Sequence, residues 1–146
     1  MEKKNPEVQL KKVTKIDSKF LYDLLAQRDP KAFISHSHEK MPTYEEHIKF
    51  MKSKPYSKWF IIKSENKKVG SISLTKQNEI GIWLMKDVVG KGIGTKALQI
   101  FLKTTPKPHY LANVNPTNLE SIKFFKKNGF KLLQHTYELI PSKTVK

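Results

Sequence analysis

Val88-Val89-Gly90-Lys91-Gly92-Ile93-Gly94-Thr95-Lys96-Ala97-Leu98 holds three of the chain's six glycines within five consecutive positions. The residues before it, Glu79-Ile80-Gly81-Ile82-Trp83-Leu84-Met85, are mostly apolar and read as a strand. After it, Ile93, Ala97, Leu98, Phe101 and Leu102 recur at helical spacing. The unit is therefore strand, glycine-rich turn, helix. Glycine lets the backbone take positive φ and lets a ligand come close to it. The first N–H groups of a helix lack partners within it and carry partial positive charge. Such a turn is built to hold an anion, most often a phosphate. A P-loop is excluded, because no Gly-Lys-Ser/Thr follows at the right spacing. A dinucleotide fold carries its glycine turn after the first strand of a parallel sheet. Here too little chain remains after residue 88 of 146 to build that sheet.

The length predicts one domain over residues 1–146, with its core between about 8 and 140. The absence of cysteine excludes disulfides, thiolate metal sites and cysteine nucleophiles. Met1-Glu2-Lys3-Lys4-Asn5-Pro6 has no apolar signal region, and no apolar run nears the length of a membrane span. The expectation is a cytoplasmic protein without membrane partners. The net charge is +15, yet Arg28 is the sole arginine among 28 basic residues. Sequence-specific nucleic-acid readers lean on arginine for bidentate contacts. Lysine spread along the whole chain predicts a solvated surface that favours anionic ligands over cationic ones.

Taken in order, Val8 to Val13 reads as a strand. Asp17 reads as the cap of a helix carrying Phe20, Leu21, Leu24 and Leu25 on one face. The segment from Lys31 to Met41 has no clear period. Thr43 and Glu46 have the spacing of a capping box for a second helix. Three strands follow, over Trp59–Lys63, Lys68–Thr75 and Glu79–Met85, with links short enough for antiparallel neighbours. Beyond the glycine turn and third helix, Tyr110–Val114 reads as a strand. Thr117 and Glu120 repeat the capping-box spacing before a fourth helix, Gly129 stands where that helix should end, and Phe130–Ile140 reads as a final β stretch. The fold class is α+β, a mostly antiparallel sheet flanked by helices.

Val89-Gly90-Lys91-Gly92-Ile93-Gly94 is similar to the Gln/Arg-x-x-Gly-x-Gly/Ala turn of the GNAT superfamily of acetyl-CoA-dependent N-acetyltransferases. Asn118-Leu119-Glu120-Ser121-Ile122-Lys123-Phe124-Phe125-Lys126-Lys127-Asn128-Gly129-Phe130 resembles that family's Asn-x-x-Ser/Ala-x-x-Phe/Leu-Phe/Tyr-x-x-x-Gly-Phe helix and strand. The two occur in order with one strand between them, and the resemblance covers nearly the whole chain. It implies the GNAT-like acyl-CoA N-acyltransferase fold with two splayed central strands. It implies acetyl-CoA as co-substrate, with its pyrophosphate held by Gly90, Lys91, Gly92, Ile93, Gly94 and Thr95. Leu84, Met85 and Lys86 would pair their backbone with the pantetheine arm, and Asn118, Ser121 and Phe125 would lie along it. Two departures stand out. Val89 replaces the usual Gln or Arg, and Phe125 replaces a tyrosine that in many members protonates the departing thiolate.

Acetyl transfer requires a neutral amine, and an alkylamine with a pKa near ~10.4 is mostly protonated at neutral pH. A carboxylate or imidazole can take that proton. Glu79 is the candidate base because it opens the strand leading to the turn; His36 and His38 are alternatives from the irregular segment. Tyr137 is the candidate acid that Phe125 cannot be. Asn113 and His47 are candidate substrate contacts. No cluster has metal-ligand spacing, and no metal is expected. The leading expectation is acetylation of a primary amine on a small molecule, with a nucleotide-linked amino sugar suited to the basic surface. Acetylation of a protein N-terminus or lysine and a non-catalytic acyl-CoA-binding module are the competing readings. The protein is expected as a monomer or homodimer.

Overall fold

A computed structural model describes residues 6–28 and 41–141. Its centre is a four-stranded antiparallel sheet in the order β1-β2-β3-β4, with β1 Val8–Lys12, β2 Lys58–Ser64, β3 Lys67–Leu74 and β4 Ile80–Leu84. Short turns join β2 to β3 and β3 to β4. Leu10 lies opposite Ile62, Phe60 opposite Ile72 and Ile72 opposite Ile82, and the β2–β3 register shifts once, at a bulge between Ile62 and Lys63. The strand period of two explains why the sheet is buried on both sides. Ile61 and Ile62 are consecutive, point to opposite faces, and are both wholly buried.

Each face carries its own helices. Ile62, Ile72, Leu74 and Ile80 pack with Ile93, Ala97, Leu98 and Phe101 of α3, Ile93–Thr104. Phe101 meets Phe60 edge to face at 6.0 Å. On the other face Ile61, Trp59, Trp83 and Met85 pack with Leu21 and Leu24 of α1, Ser18–Ala26, and with Met51 of α2, Tyr44–Lys52. The fourth helix, α4, spans Leu119–Lys127 and leans its Phe124 on the α3 side. No helix among the described residues is long and apolar enough to cross a membrane.

The capping box of α2 forms as the sequence predicts: Glu46 N–H donates to Thr43 Oγ1 at 3.1 Å and Thr43 N–H to Glu46 Oε1 at 2.8 Å. Gly129 has φ of +93° and ends α4, with Phe130 N–H donating back to the Phe125 carbonyl at 2.9 Å.

Four expectations need correction. Asp17 does not cap α1, because its own backbone is already helical and its side chain reaches backward. Oδ2 accepts from Thr14 N–H at 2.8 Å and from Lys11 Nζ at 3.0 Å, and Lys68 Nζ lies 2.7 Å from Oδ1. Thr117 does not cap α4. Asn118 does, accepting from Ser121 N–H at 3.2 Å, while Thr117 is drawn into a turn by Asn115 Oδ1. Among the described residues Tyr110–Val114 is reduced to one parallel bridge at Leu111, opposite Glu79. Phe130–Ile140 forms no strand pairing among the described residues.

Candidate functional site

Three features of the β4–α3 unit converge at one end of the sheet. The first is the turn. Gly90 and Gly92 take φ of +86° and +81°, and a Cβ at either would meet nothing within 4 Å, so the space beside both is open. The left-handed conformation is what demands glycine there. Gly94 is needed for another reason. A Cβ on it would lie 3.3 Å from the Phe124 ring and 3.5 Å from Leu84 Cδ1, so its bareness lets α4 and β4 close on the start of α3.

The second feature is that helix start. α2 and α4 carry side-chain caps, but the first turn of α3 has neither a side-chain cap nor an acidic residue. Its N–H dipoles face the open turn, and an anion would satisfy them. The turn and helix start thus fit a diphosphate. Lys91 is exposed beside the turn, Ile93 is buried beneath it and Thr95 is half-buried. Val89 is 54% exposed and brings no polar group.

The third feature is a seam between β4 and the segment after Leu111. Ile80 N–H donates to the Leu111 carbonyl at 2.7 Å, and Leu111 N–H to the Asn78 carbonyl at 2.8 Å. Among the described residues no backbone bond continues this pairing toward Ala112–Val114. Backbone groups alternate in direction along a strand. Met85 N–H donates to the Val69 carbonyl at 2.8 Å on the β3 side, so Ile82 and Leu84 turn their N–H and C=O into the gap. Such groups need a partner from outside the sheet.

This sharpens the expectation for the arm. Met85 N–H is already used by Val69, and Lys86 N–H donates to Gln27 Oε1 at 2.9 Å. Leu84 keeps its place in the seam, and Ile82 joins it. Ile82 was missed by the sequence reading, although alternation back from Leu84 points to it.

Glu79 and Asn113, picked separately in the sequence, come together at the closed end of the seam. Asn113 Nδ2 donates to Glu79 Oε2 at 2.8 Å, and Thr75 Oγ1 donates to Oε1 at 3.0 Å. Thr75 had no sequence signal beyond flanking the Gln77-Asn78 turn. A carboxylate held by two neutral donors keeps lone pairs for a water or an amine.

The other candidates are placed elsewhere. His47 is buried between α1 and α2, where its Nε2–H donates to the Ser18 carbonyl at 3.1 Å and its ring sits 5.3 Å from that of Tyr22. Burial lowers its pKa, partly offset by the Ser18 carbonyl. Its ring thus holds two helices together rather than facing the seam. Tyr137 is 90% exposed and stacks on His135, so it does not touch Glu79. Asn118 uses its side-chain oxygen to cap α4, and Ser121 supplies the N–H it accepts. Phe125 packs between Phe124 and Phe130, at 5.2 and 5.1 Å. His36 and His38 lie outside the described residues.

On the face of β4 opposite α3, the Arg28 guanidinium lies 5.7 Å from the centre of the Trp83 ring. Burial lowers the Arg28 pKa, with Tyr56 acting weakly in the other direction. Burial likewise raises the Tyr56 pKa, against a hydrogen bond to Ser73 and the charge of Arg28. The sequence marks Arg28 only by its being the sole arginine.

An open turn, an uncapped helix start and a parted sheet define the framework of an acyl-coenzyme A transferase fold. The chain belongs to the GNAT family of acetyltransferases: residues 7–131 match the acetyltransferase (GNAT) domain. It is similar to the peptidyl-lysine N-acetyltransferase YjaB of Salmonella typhimurium, 32% identical over 74 residues, which are 51% of this chain and 50% of that protein. The chain thus aligns with about half the length of this curated relative. A domain from Methanocaldococcus jannaschii has the same fold with a TM-score of 0.75 and 26% identity, covering 91% of this chain and 94% of that one. The aminoglycoside N-acetyltransferase AAC(6')-Iy, solved in complex with CoA, shares the fold at a TM-score of 0.69 and 12% identity, over 96% and 98% of the two chains.

Proposed function

We propose that this chain moves an acetyl group from acetyl-CoA to a primary amine of a small molecule that also carries an anionic group. The observation that carries the reading is the seam, where Ile82 and Leu84 face a gap closed at one end by Glu79 and Asn113. At the other end, beyond β4, lies the glycine turn. Acetyl-CoA supplies the activated acyl carbon and a thiolate leaving group. Gly90, Gly92 and the first turn of α3 would bind its diphosphate, and the Ile82 and Leu84 backbone would hold its extended arm.

Glu79 would accept the amine proton, directly or through one water, as the amine nitrogen bonds the acyl carbon and the carbon–sulfur bond breaks. Asn113 and Thr75 hold that carboxylate in place. Phe125 has no proton to give, so solvent would protonate the thiolate. The +15 charge supports an acceptor with a phosphate or carboxylate, such as a nucleotide-linked amino sugar.

A peptidyl lysine is the second reading, favoured by what the 32% identical relative is named to act on. Release of free thiol from acetyl-CoA, followed with a thiol-reactive dye, tests both. The amine library would contain amino sugars with and without phosphate and lysine peptides. Turnover of phosphorylated amines supports the first reading, and turnover of peptides alone replaces it with the second. No turnover with any amine, despite tight CoA binding, refutes both in favour of a binding module.

A further inference from the structure

Of the six glycines in the chain, the fold accounts for five. Gly90, Gly92 and Gly129 have positive φ. A Cβ at Gly70 would run into the Trp83 carbonyl oxygen, and one at Gly94 would press on the Phe124 ring. Gly81 differs. It lies within β4 and does not have positive φ. A Cβ there would lie 3.2 Å from Ser73 Oγ, a hydroxyl that can turn aside, and 3.7 Å from Trp83 Nε1, which is ordinary contact. Among the described residues nothing else comes within 4 Å of that point. Most side chains suit a strand better than glycine, which costs backbone entropy and packs against nothing. Glycine inside a strand often marks the close approach of a ligand.

The surroundings of Gly81 say what approaches it. Residues two apart in a strand share a face, so Glu79, position 81 and Trp83 form one row. Trp83 packs with Leu21 and Leu24 of α1, which puts the row on the side of the sheet away from α3. Gly81 is half-buried, although its register partner Ser73 on β3 is buried. On one side of the bare position stands the Glu79 carboxylate, held by Asn113 and Thr75. On the other is the Trp83 indole N–H, which can only donate. Arg28 lies over the Trp83 ring, and Ser73 shares a hydrogen bond with Tyr56, so both walls are held. A proton acceptor, a bare floor and a donor thus follow one another along the strand, with residues 79 and 81 about 7 Å apart. An amine on a sugar-sized ring spans that interval, with an oxygen across the ring to accept from Trp83.

Building on the acetyl transfer to a small amine proposed above, we infer that Gly81 is a specificity residue of the acceptor site. Its bare Cα lets a ring-borne amine lie flat between Glu79 and Trp83, and a side chain there would lift the ring away from both. An open-chain amine can bend around one methyl group; a rigid ring cannot.

Glucosamine 6-phosphate and its reduced, open-chain form carry the same amine and the same phosphate, and they separate ring from chain. Ser73→Ala is the background, because it removes the 3.2 Å contact and so separates loss of fit from loss of fold. In that background Gly81→Ala should raise KM for the ring at least about tenfold, the low end of what one carbon is worth in a fitted pocket. The open-chain kcat/KM and the CoA dissociation constant should stay within about threefold. Binding can also be read without turnover. The chain has two tryptophans, so Trp59→Phe leaves Trp83 as the sole indole reporter. Its emission should change as glucosamine 6-phosphate is added without acetyl-CoA, and Gly81→Ala should abolish that change. Equal losses for ring and open-chain amines, an unmoved ring KM, or a Trp83 signal blind to the ring would overturn the inference while leaving acetyl transfer standing. Absence of turnover with every amine would instead refute the transfer reading, and the Trp83 signal would still decide whether a ring binds over Gly81.

Discussion

Gly92→Asp tests the cradle with a charge placed where a phosphate is expected. Gly92 is left-handed with φ of +81°, and a Cβ there meets no atom within 4 Å, so the side chain enters open space. The cost to the fold is conformational, about 1–2 kcal/mol at most for a left-handed residue and less for Asp or Asn. For a chain of this size that moves the melting temperature by only a few degrees, about 2–4 °C per kcal/mol. The Asp carboxylate can also settle on the uncapped N–H groups of α3, occupying the donors the diphosphate needs. A carboxylate about 6 Å from two phosphate charges adds ~1.4 kcal/mol of repulsion at the dielectric of water and roughly twice that at half the value. The expected loss of CoA affinity is therefore about ten- to a hundredfold. Gly92→Asn is the control, with the same backbone demand and nearly the same shape but no charge. Calorimetric titration with CoA should separate the two variants by at least about tenfold at low salt, and added salt should narrow the gap. Equal affinities for the Asp and Asn variants, with both folded, would refute the diphosphate cradle.

Glu79→Gln should lower kcat by about 10²–10⁴-fold while CoA binding stays within about threefold, and higher pH should restore part of the rate. The Asn113 amide can turn to accept from the new Gln, so lost folding is not the expected cause, and a wild-type rate near pH 7 would exclude Glu79 as base. Gly70→Ala should destabilise the chain strongly without any direct role in binding, because its Cβ would drive into the Trp83 carbonyl oxygen and lie 2.8 Å from Leu84 Cδ2. A melting temperature within about 2 °C of wild type would contradict the strand packing read here. His47 has a folded pKa below its ordinary 6.5, so the unfolded chain binds the proton first, and its contribution to stability, complete above pH 6.5, falls as pH drops through 6.5 toward the folded value. His47→Gln, still able to donate to the Ser18 carbonyl, should flatten thermal melts between pH 7 and 5; an unchanged slope would show that another group sets it. Asp17 adds a lower limb. Burial alone would raise its pKa, but Lys68, Thr14 N–H and Lys11 outweigh it, so its stability is present above 3.8 and lost as pH falls through the lowered value.

What could be read from the residues was local, and what could not was a matter of partners. The positive φ of Gly90 and Gly92, the α2 capping box and the Gly129 stop each follow from a residue type acting within one turn of itself. Glu79 and Asn113 were also visible, but as two candidates 34 positions apart; only the single bridge at Leu111 explains why they meet. His47 misled because an imidazole on a helix has the same one-dimensional signature whether it faces a substrate or a carbonyl of the next helix. The failures in the last third of the chain share another cause. Alternation and β-branched or aromatic content say that Tyr110–Val114 and Phe130–Ile140 can be strands, and they say nothing about whether an edge is free to receive them. At Leu111 the answer is one bridge, and the missing remainder leaves Ile82 and Leu84 turned toward the proposed co-substrate. Along β4, capacity for a strand without a continuing ladder among the described residues leaves backbone groups that must be satisfied by something else. In the proposed function that something is the extended arm of acetyl-CoA, lying along the Ile82 and Leu84 backbone.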